Sequence, residues 1–254
     1  MELIELKLSV TNCFLIKTKK QYVLVDTGYE EDWELFCKRL KEINVNIAEI
    51  SHIILTHHHD DHCGLVNKIL ERNNDIKIVM HNLTKELISV GMNDQNHGGG
   101  LINKRMKFLI GFKQFYISVI LRKHIDKNNN LKFPPYKGRS SDIIVQNEVR
   151  LSEIGIELEG RIVETPGHTI DSISILFDDG YCIVGDAAAN FFQFAGTKYC
   201  VVFVNDLDVY YKSWGKLIAM NALKIYPAHG KPFGIDKLKK NIGKNKKENM
   251  VMIQ

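Results

Sequence analysis

Apolar residues gather into short runs near the start of the chain and spread to helical spacing soon after. Residues 3–8, 12–17 and 21–25 read as strands, the last two flanking the polar turn Thr18-Lys19-Lys20. Asp26-Thr27-Gly28 ends the third run, and an amphipathic helix follows with Trp33, Phe36, Leu40 and Ile43 at helical spacing. The apolar run 51–55 predicts a buried strand, with a cluster of histidines directly after it. Residues 62–72 predict a helix, 76–80 a strand and 83–90 a helix. Strand signals return at 143–145, 149–158, 161–164, 172–177 and 181–185, and a helix near 206–221 leads to a last strand at 223–226. Two batches of elements, each opening with strands, predict sheets packed together with helices outside.

Between the batches the pattern breaks. Gly91, Asn93, Asn96 and Gly98-Gly99-Gly100 predict a hinge-like stretch, followed by an apolar helix over 101–124. Asn128-Asn129-Asn130 and Pro134-Pro135 then return the chain to loop. Lys107, Gly111, Gln114, Ser118 and Arg122 form one narrow stripe, and Lys113 alone interrupts the apolar remainder from 106 to 121. A helix this apolar needs cover on most of its circumference. Residues 1–254 thus read as one domain with a helical lid insertion at 91–142.

Charge sharpens the division. The formal net charge is +4, yet residues 91–142 carry ten Lys and Arg against three acids. The basic tail 231–254 carries seven Lys against Asp236 and Glu248, which leaves the rest of the chain acidic. The tail reads as a solvated helix; without interleaved aromatics it argues against nucleic-acid binding. Cys13, Cys37, Cys63, Cys182 and Cys200 are odd in number and form no C-x-x-C pair, which fits a reducing compartment better than a disulfide framework. Acids at the N-terminus and the lack of a long apolar stretch make a cytoplasmic protein the expectation.

The histidine cluster carries the chemistry. His57 and His59 stand two apart just past a strand, and Asp61 and His62 open the next helix, so one loop aims ligands in two directions. Imidazole nitrogen and carboxylate oxygen without sulfur suit zinc, iron or manganese. Three more residues of that chemistry follow strands. They are His168 in Thr165-Pro166-Gly167-His168-Thr169, Asp186 after Gly185, and His229 in Pro227-Ala228-His229-Gly230. Four strand ends delivering His and Asp to one edge describe a site placed on loops by a rigid scaffold.

These residues resemble the metallo-β-lactamase superfamily, whose H-x-H-x-D-H signature is matched by His57-His58-His59-Asp60-Asp61-His62. The later His, Asp and His of that superfamily match His168, Asp186 and His229, and its early Asp matches Asp26. The resemblance covers roughly 1–90 and 143–230. It implies an α/β fold, a four-layer αβ/βα sandwich with the site along one edge. It also implies two divalent metal ions, zinc above iron or manganese. One would be held by His57, His59 and His168, the other by Asp61, His62 and His229, with Asp186 bridging. A hydroxide shared by the pair would attack a carbonyl or phosphorus, Asp61 would also handle a proton, and Asp26 would orient a ligand histidine. Asp186 stands where zinc β-lactamases of the superfamily usually carry cysteine, which points away from β-lactams. Too few residues separate Asp186 and His229 for the large insertion of the β-CASP nucleases.

The leading expectation is a hydrolase of an ester, thioester or lactone with an apolar acyl part, acting on a small molecule. A phosphodiesterase acting on a nucleotide, phospholipid or nucleic acid is the alternative that the basic insertion suggests, and a non-catalytic metal-binding sensor is a third. For the 101–124 helix three readings stay open: burial against the domain or a second copy in a homodimer, a roof over an acyl pocket, or contact with a membrane surface through Lys104, Arg105, Lys107, Arg122 and Lys123. His58 and Asp60 are expected to face away or bond locally, Cys63 to fill space, and His81, His97 and His124 to lie on the surface or in loops. Tyr116, Tyr136, Tyr210 and Tyr211 are candidate donors to an oxyanion.

Overall fold

A computed structural model describes residues 2–94, 96–111 and 131–252 of the chain. The first half builds a six-stranded sheet from β1 (Leu3–Lys7), β2 (Asn12–Lys17), β3 (Tyr22–Val25), β4 (Ile50–Ile54), β5 (Lys77–His81) and β7 (Ile143–Val145), in that spatial order. β1 to β3 pair antiparallel, and β3, β4, β5 and β7 run parallel. Helices α1 (Trp33–Glu42), α3 (Val66–Arg72) and α4 (Asn82–Val90) belong to this half. The second half builds another six-stranded sheet in the order β14 (Phe233–Gly234), β13 (Lys224–Pro227), β11 (Tyr181–Gly185), β10 (Ile173–Phe177), β9 (Gly160–Glu164), β8 (Val149–Arg150). Helices α6 (Leu207–Ala219) and α7 (Asp236–Asn241) go with it.

The four layers follow from strands buried on both faces. Side chains alternate along a strand, so Phe14 and Ile16 of β2 enter one core with Val23, Val25 and Ile54, while Cys13 and Leu15 enter another with Leu24 and Ile53. The first core also takes Ile162, Ile173, Ile175, Phe177 and Ile183 of the second sheet, and therefore lies between the sheets. The second core takes Phe36, Leu40, Ile69 and Ile88 from α1, α3 and α4. A third joins Val163, Leu176, Cys182 and Val184 to Tyr210, Trp214, Leu217 and Leu238 under α6 and α7. The result is the αβ/βα sandwich expected from the sequence.

Several boundaries moved. The helix expected over 62–72 is split into α2 (Asp60–Cys63) and α3, because Gly64 packs directly on the backbone of 28–30 and Leu65 leaves regular helical geometry. A Cβ at residue 64 would meet Glu30 N at 2.5 Å, Asp60 O at 2.6 Å and Gly28 O at 2.8 Å. Gly64→Ala is therefore expected to cost about 2 kcal/mol, a fall in Tm of about 4–8 °C by calorimetry. The strand expected over 149–158 ends at Arg150. Its apolar run instead buries a 3₁₀ turn, Leu151–Ile154, closed by Gly155 at φ +81°, and Leu151 and Ile156 fill the core between the sheets.

The insertion and tail also differ from expectation. Gly100–Leu101 is not helical but strand β6, paired with β12 (Phe203–Val204) on one side and β15 (Val251–Met252) on the other. Helix α5 is described over 104–111, its start capped by Asn103 Oδ1, which accepts from Met106 N at 2.9 Å. Readings that rest on residues 112–130, including Tyr116, Arg122, Lys123 and His124, lie outside the described residues. The tail is packed: Phe233, Ile235 and Leu238 are buried in the outer core, while Lys240 keeps its charge in solvent. Among the described residues no helix is long and apolar enough to cross a membrane.

Candidate metal centre

Loops at the C-terminal ends of β3, β4, β9, β11 and β13 meet at one edge of the sandwich. Asn12 N, at the start of β2, donates to Ala228 O at 2.7 Å and ties the first sheet to the loop after β13 there. Gly185 lets Asp186 approach the first half. It sits at φ +49°, and a Cβ on it would lie 2.4 Å from Thr56 Oγ1, so only glycine allows the loops of β4 and β11 to touch.

Three ligand-like groups form there, each with its atoms within 4.8 Å of one another: His57, His59 and His168; His57, His62 and Asp186; and Asp61, His62 and His229. Asp186 lies between the outer two groups. Its Oδ2 is 3.4 Å from His168 Nε2, while its Oδ1 is 3.2 Å from His229 Nε2 and 3.6 Å from His62 Nε2. Asp61 Oδ2 is 3.3 Å from His229 Nε2 and 3.5 Å from His62 Nε2, and takes a hydrogen bond from Thr11 Oγ1 at 2.7 Å. All seven residues that the sequence singles out as ligands thus share one site.

Three of the five rings are held from behind. His62 Nδ1–H donates to Asp26 Oδ2 at 2.8 Å, His168 Nδ1–H to Phe203 O at 2.8 Å, and His229 Nδ1–H to Val10 O at 3.2 Å. This turns the Nε2 of these three rings toward the centre, where a cation can bind once any proton on it has left. His57 Nε2, His62 Nε2 and Asp186 Oδ1 are buried without a hydrogen-bond partner. Buried polar atoms are seldom left so. An all-oxygen-and-imidazole donor set with inward-facing orphan atoms fits divalent cations.

Asp26 is the anchor behind this loop. Besides His62, it accepts from Thr56 N and Thr56 Oγ1, both at 2.8 Å, with its own backbone at φ +59°. Asp is one of the few side chains that tolerate this left-handed conformation.

The two halves of the centre differ electrically. Burial, then the neighbouring rings, pushes His57 and His59 well below the ordinary histidine range, so they are neutral at pH 7. Burial also lowers His168 against the pull of Asp186. Burial acts the same way on His62, but Asp61, Asp26 and Asp186 outweigh it and raise its pKa to about 9. Asp186 and Asp61 likewise overcome burial at His229 and raise it well above normal. Below about pH 9, then, a cation entering beside Asp61, His62 and His229 must displace protons. Zinc titrations at pH 7.5, in buffers of different ionisation enthalpy, should show about two protons released per chain and an affinity that climbs with pH up to about 9. A heat independent of buffer would contradict this assignment of charge.

Other residues moved from their expected roles. Both His58 and Asp60 are buried: Asp60 Oδ1 does bond locally, accepting from Asp61 N at 3.1 Å, whereas His58 bonds far along the chain, its Nδ1–H donating to Asp171 Oδ1 at 2.9 Å. His81 is not a surface residue. It is buried at the end of β5, its Nε2–H donating to Glu164 Oε1 at 3.0 Å and its Nδ1 accepting from Leu83 N. His97 is half-exposed and pairs with Asp94. Cys63 is buried filler whose thiol donates to His58 O. Among the candidate oxyanion donors, Tyr136 donates to Asp142 at 2.5 Å, Tyr210 to the backbone of Asp186 at 3.0 Å, and Tyr211 accepts from Asn245 N. The sequence reading missed Asp171, three residues past His168, and Tyr29, whose hydroxyl is raised by burial and then by Asp61, Asp60 and Asp186. Its place directly after Asp26-Thr27-Gly28 was the available signal.

The sequence profile described as "Metallo-beta-lactamase superfamily" matches residues 6–229. The chain belongs to that superfamily. Among superfamily relatives it is 27% identical over 228 residues to the lactamase-like protein adaB of Aspergillus niger, covering 89% of this chain and 51% of that one. It is 24% identical over 227 residues to the beta-lactamase-like protein 2 homolog of Caenorhabditis elegans, covering 87% and 56%. The chain therefore spans about half the length of the curated relatives it matches. A metallo-beta-lactamase family protein of Thermus thermophilus aligns with a TM-score of 0.62 at 16% identity, over 96% of this chain and 77% of that one. BJP-1, a subclass B3 metallo-beta-lactamase of Bradyrhizobium japonicum, aligns with a TM-score of 0.59 at 18% identity, over 89% and 74%. At those identities the likeness is one of fold.

Proposed function

We propose that this chain is a hydrolase that works with two divalent cations, zinc foremost, and cleaves an ester, thioester or lactone. The observation that carries the reading is Asp186, whose two carboxylate oxygens face opposite ligand groups, His168 on one side and His62 with His229 on the other. His57, His59 and His168 would hold one cation, Asp61, His62 and His229 the other, and Asp186 would touch both. Bound there, the pair would supply Lewis acidity toward the attacked carbonyl and a water acidified to near neutrality. The chain's own part is to fix those groups and move protons. Asp61, steadied by Thr11, takes the proton released on attack and returns it to the leaving oxygen or sulfur.

Substrate class rests on the segment that begins at Asp186. Asn190 N bonds to His229 O at 2.9 Å, and the same segment carries Phe194, which with Phe108, Leu109, Ala195, Lys104 and Arg105 lines a surface pocket of about 380 Å³. Apolar walls beside two cationic side chains suit an acyl group that also bears an anion. A phosphodiesterase remains the second reading, supported by a 26% identity over 97 residues to a probable RNase of Methanocaldococcus jannaschii, which covers 38% of this chain. A paired assay decides between them. p-Nitrophenyl butyrate should be cleaved and bis-p-nitrophenyl phosphate spared, with activity lost in EDTA and restored by zinc. Cleavage of the phosphodiester alone would reverse the order, and no cleavage of either by the zinc-loaded protein would favour a sensor.

A further inference from the structure

The two motif positions that lie between the ligands, His58 and Asp60, both bond to residues far along the chain. Asp60 and Asn93 form a reciprocal pair: Asp60 N donates to Asn93 Oδ1 at 2.8 Å, and Asn93 Nδ2 donates to Asp60 Oδ1 at 2.8 Å. Both residues are more than nine-tenths buried. One residue along, Asp94 N donates to His58 Nε2 at 3.0 Å. His58 is in turn fixed by Asp171, from the loop that carries His168, and Asp171 also accepts from Thr84 of α4 at 2.7 Å.

The segment so gripped is the base of the insertion. Met92 bridges to Lys132, Asn93 N donates to Leu131 O at 2.8 Å, and Phe133 N donates to Gly91 O at 3.0 Å, so both stems of the insertion are held together at this point. The stem then runs through the glycines into β6 and α5, which contributes Lys104, Arg105, Phe108 and Leu109 to the pocket. A surface loop tethered only by its own turns would not need two buried side chains of the metal loop.

We infer that His58 and Asp60 are positioning residues that latch the base of the 91–142 insertion to the metal loop, so that cation binding and the ordering of that base are coupled. The inference rests on reading 57–62 as the metal loop. The physical basis is linkage: a cation that fixes His57, His59, Asp61 and His62 also fixes the backbone between them. His58 Nε2 and the Asp60 carboxylate are then held where Asp94 N and Asn93 require them. Reciprocally, a broken latch should loosen the loop and weaken the cation.

The latch has a charge-reversible test, because Asn93→Asp sets two carboxylates against each other while the added exchange Asp60→Asn restores one amide opposite one carboxylate. Amide hydrogen exchange is measured on the full chain with and without saturating zinc, together with zinc affinity by chelator competition. In the unaltered protein zinc should slow exchange about tenfold or more at both 57–62 and 91–94. Asn93→Asp should keep protection at 57–62, lose it at 91–94, and weaken zinc about tenfold. The double exchange should recover most of both, which a variant that merely unfolds locally would not do. Equal zinc protection of 91–94 in Asn93→Asp overturns the latch, as does failure of the double exchange to recover it. Zinc protection at 57–62 without any at 91–94 in the unaltered protein overturns the coupling alone. No zinc response at 57–62 overturns the metal reading itself and the coupling with it.

Discussion

Asp186→Asn should lower kcat/KM for ester cleavage by about a thousandfold while leaving the fold in place. The substitution keeps the shape of the side chain and removes the one negative charge that faces both ligand groups, with Oδ2 at 3.4 Å from His168 and Oδ1 at 3.2 Å from His229. A group behind a ligand typically costs about 10–100-fold when lost, and a group that touches both cations should cost more. The backbone that positions it is independent of its charge, since Tyr210 holds the Asp186 carbonyl and Gly185 sets the turn. Circular dichroism and Tm should therefore stay near those of the unaltered protein. A second readout follows from the electrostatics: Asp186 is the largest influence raising His229 above its ordinary range. In zinc-free Asp186→Asn the His229 ring should titrate at lower pH by NMR, and an unmoved His229 would contradict the geometry drawn for the site.

Asp26→Asn should separate cation binding from stability, and Asp26→Ala should lose both. In the unaltered chain Asp26 accepts three hydrogen bonds, from Thr56 N, Thr56 Oγ1 and His62 Nδ1–H. An asparagine still accepts from Thr56 N and tolerates φ +59°. Its amide, however, now points a donor at His62, which favours the ring form with the proton on Nε2, the atom needed by the cation. Zinc affinity should fall about 10–100-fold with little change in Tm. Alanine strands three buried donors and adds backbone strain at a left-handed position, so a loss of about 3 kcal/mol or more is expected by urea denaturation. Equal zinc affinity in Asp26→Asn would show that the tautomer of His62 is not set by this contact.

Much of this was legible because the signal was local. Strands buried on both faces, such as Cys13 to Ile16 and Ile53 to Ile54, read as apolar runs, and ligands at strand ends fall next to them in the chain. The four-layer sandwich and the seven ligand-like residues follow from that adjacency together with the motif. What was not legible depends on partners far away. His58 looks like a spacer until Asp171, 113 residues on, is placed beside it, and Asp60 until Asn93 is. His81 looks like a loop residue because Glu164 lies 83 residues away. The run 149–158 misleads for another reason: Leu151 and Ile156 are as buried as strand residues, but lie in and just after a turn. The lysines of the tail hide Phe233, Ile235 and Leu238, three apolar residues that help to dock it beside the pairing of β15 with β6.

The central claim is a two-cation hydrolytic centre, and the most direct measurement of it is metal content against activity. The chain is stripped with chelator, returned to zinc stepwise, and assayed by elemental analysis and p-nitrophenyl butyrate cleavage at each step. Two equivalents of zinc retained per chain, with activity completed only by the second, is the expected result. Saturation at one equivalent with full activity, or esterase activity that persists in the stripped protein, would contradict it.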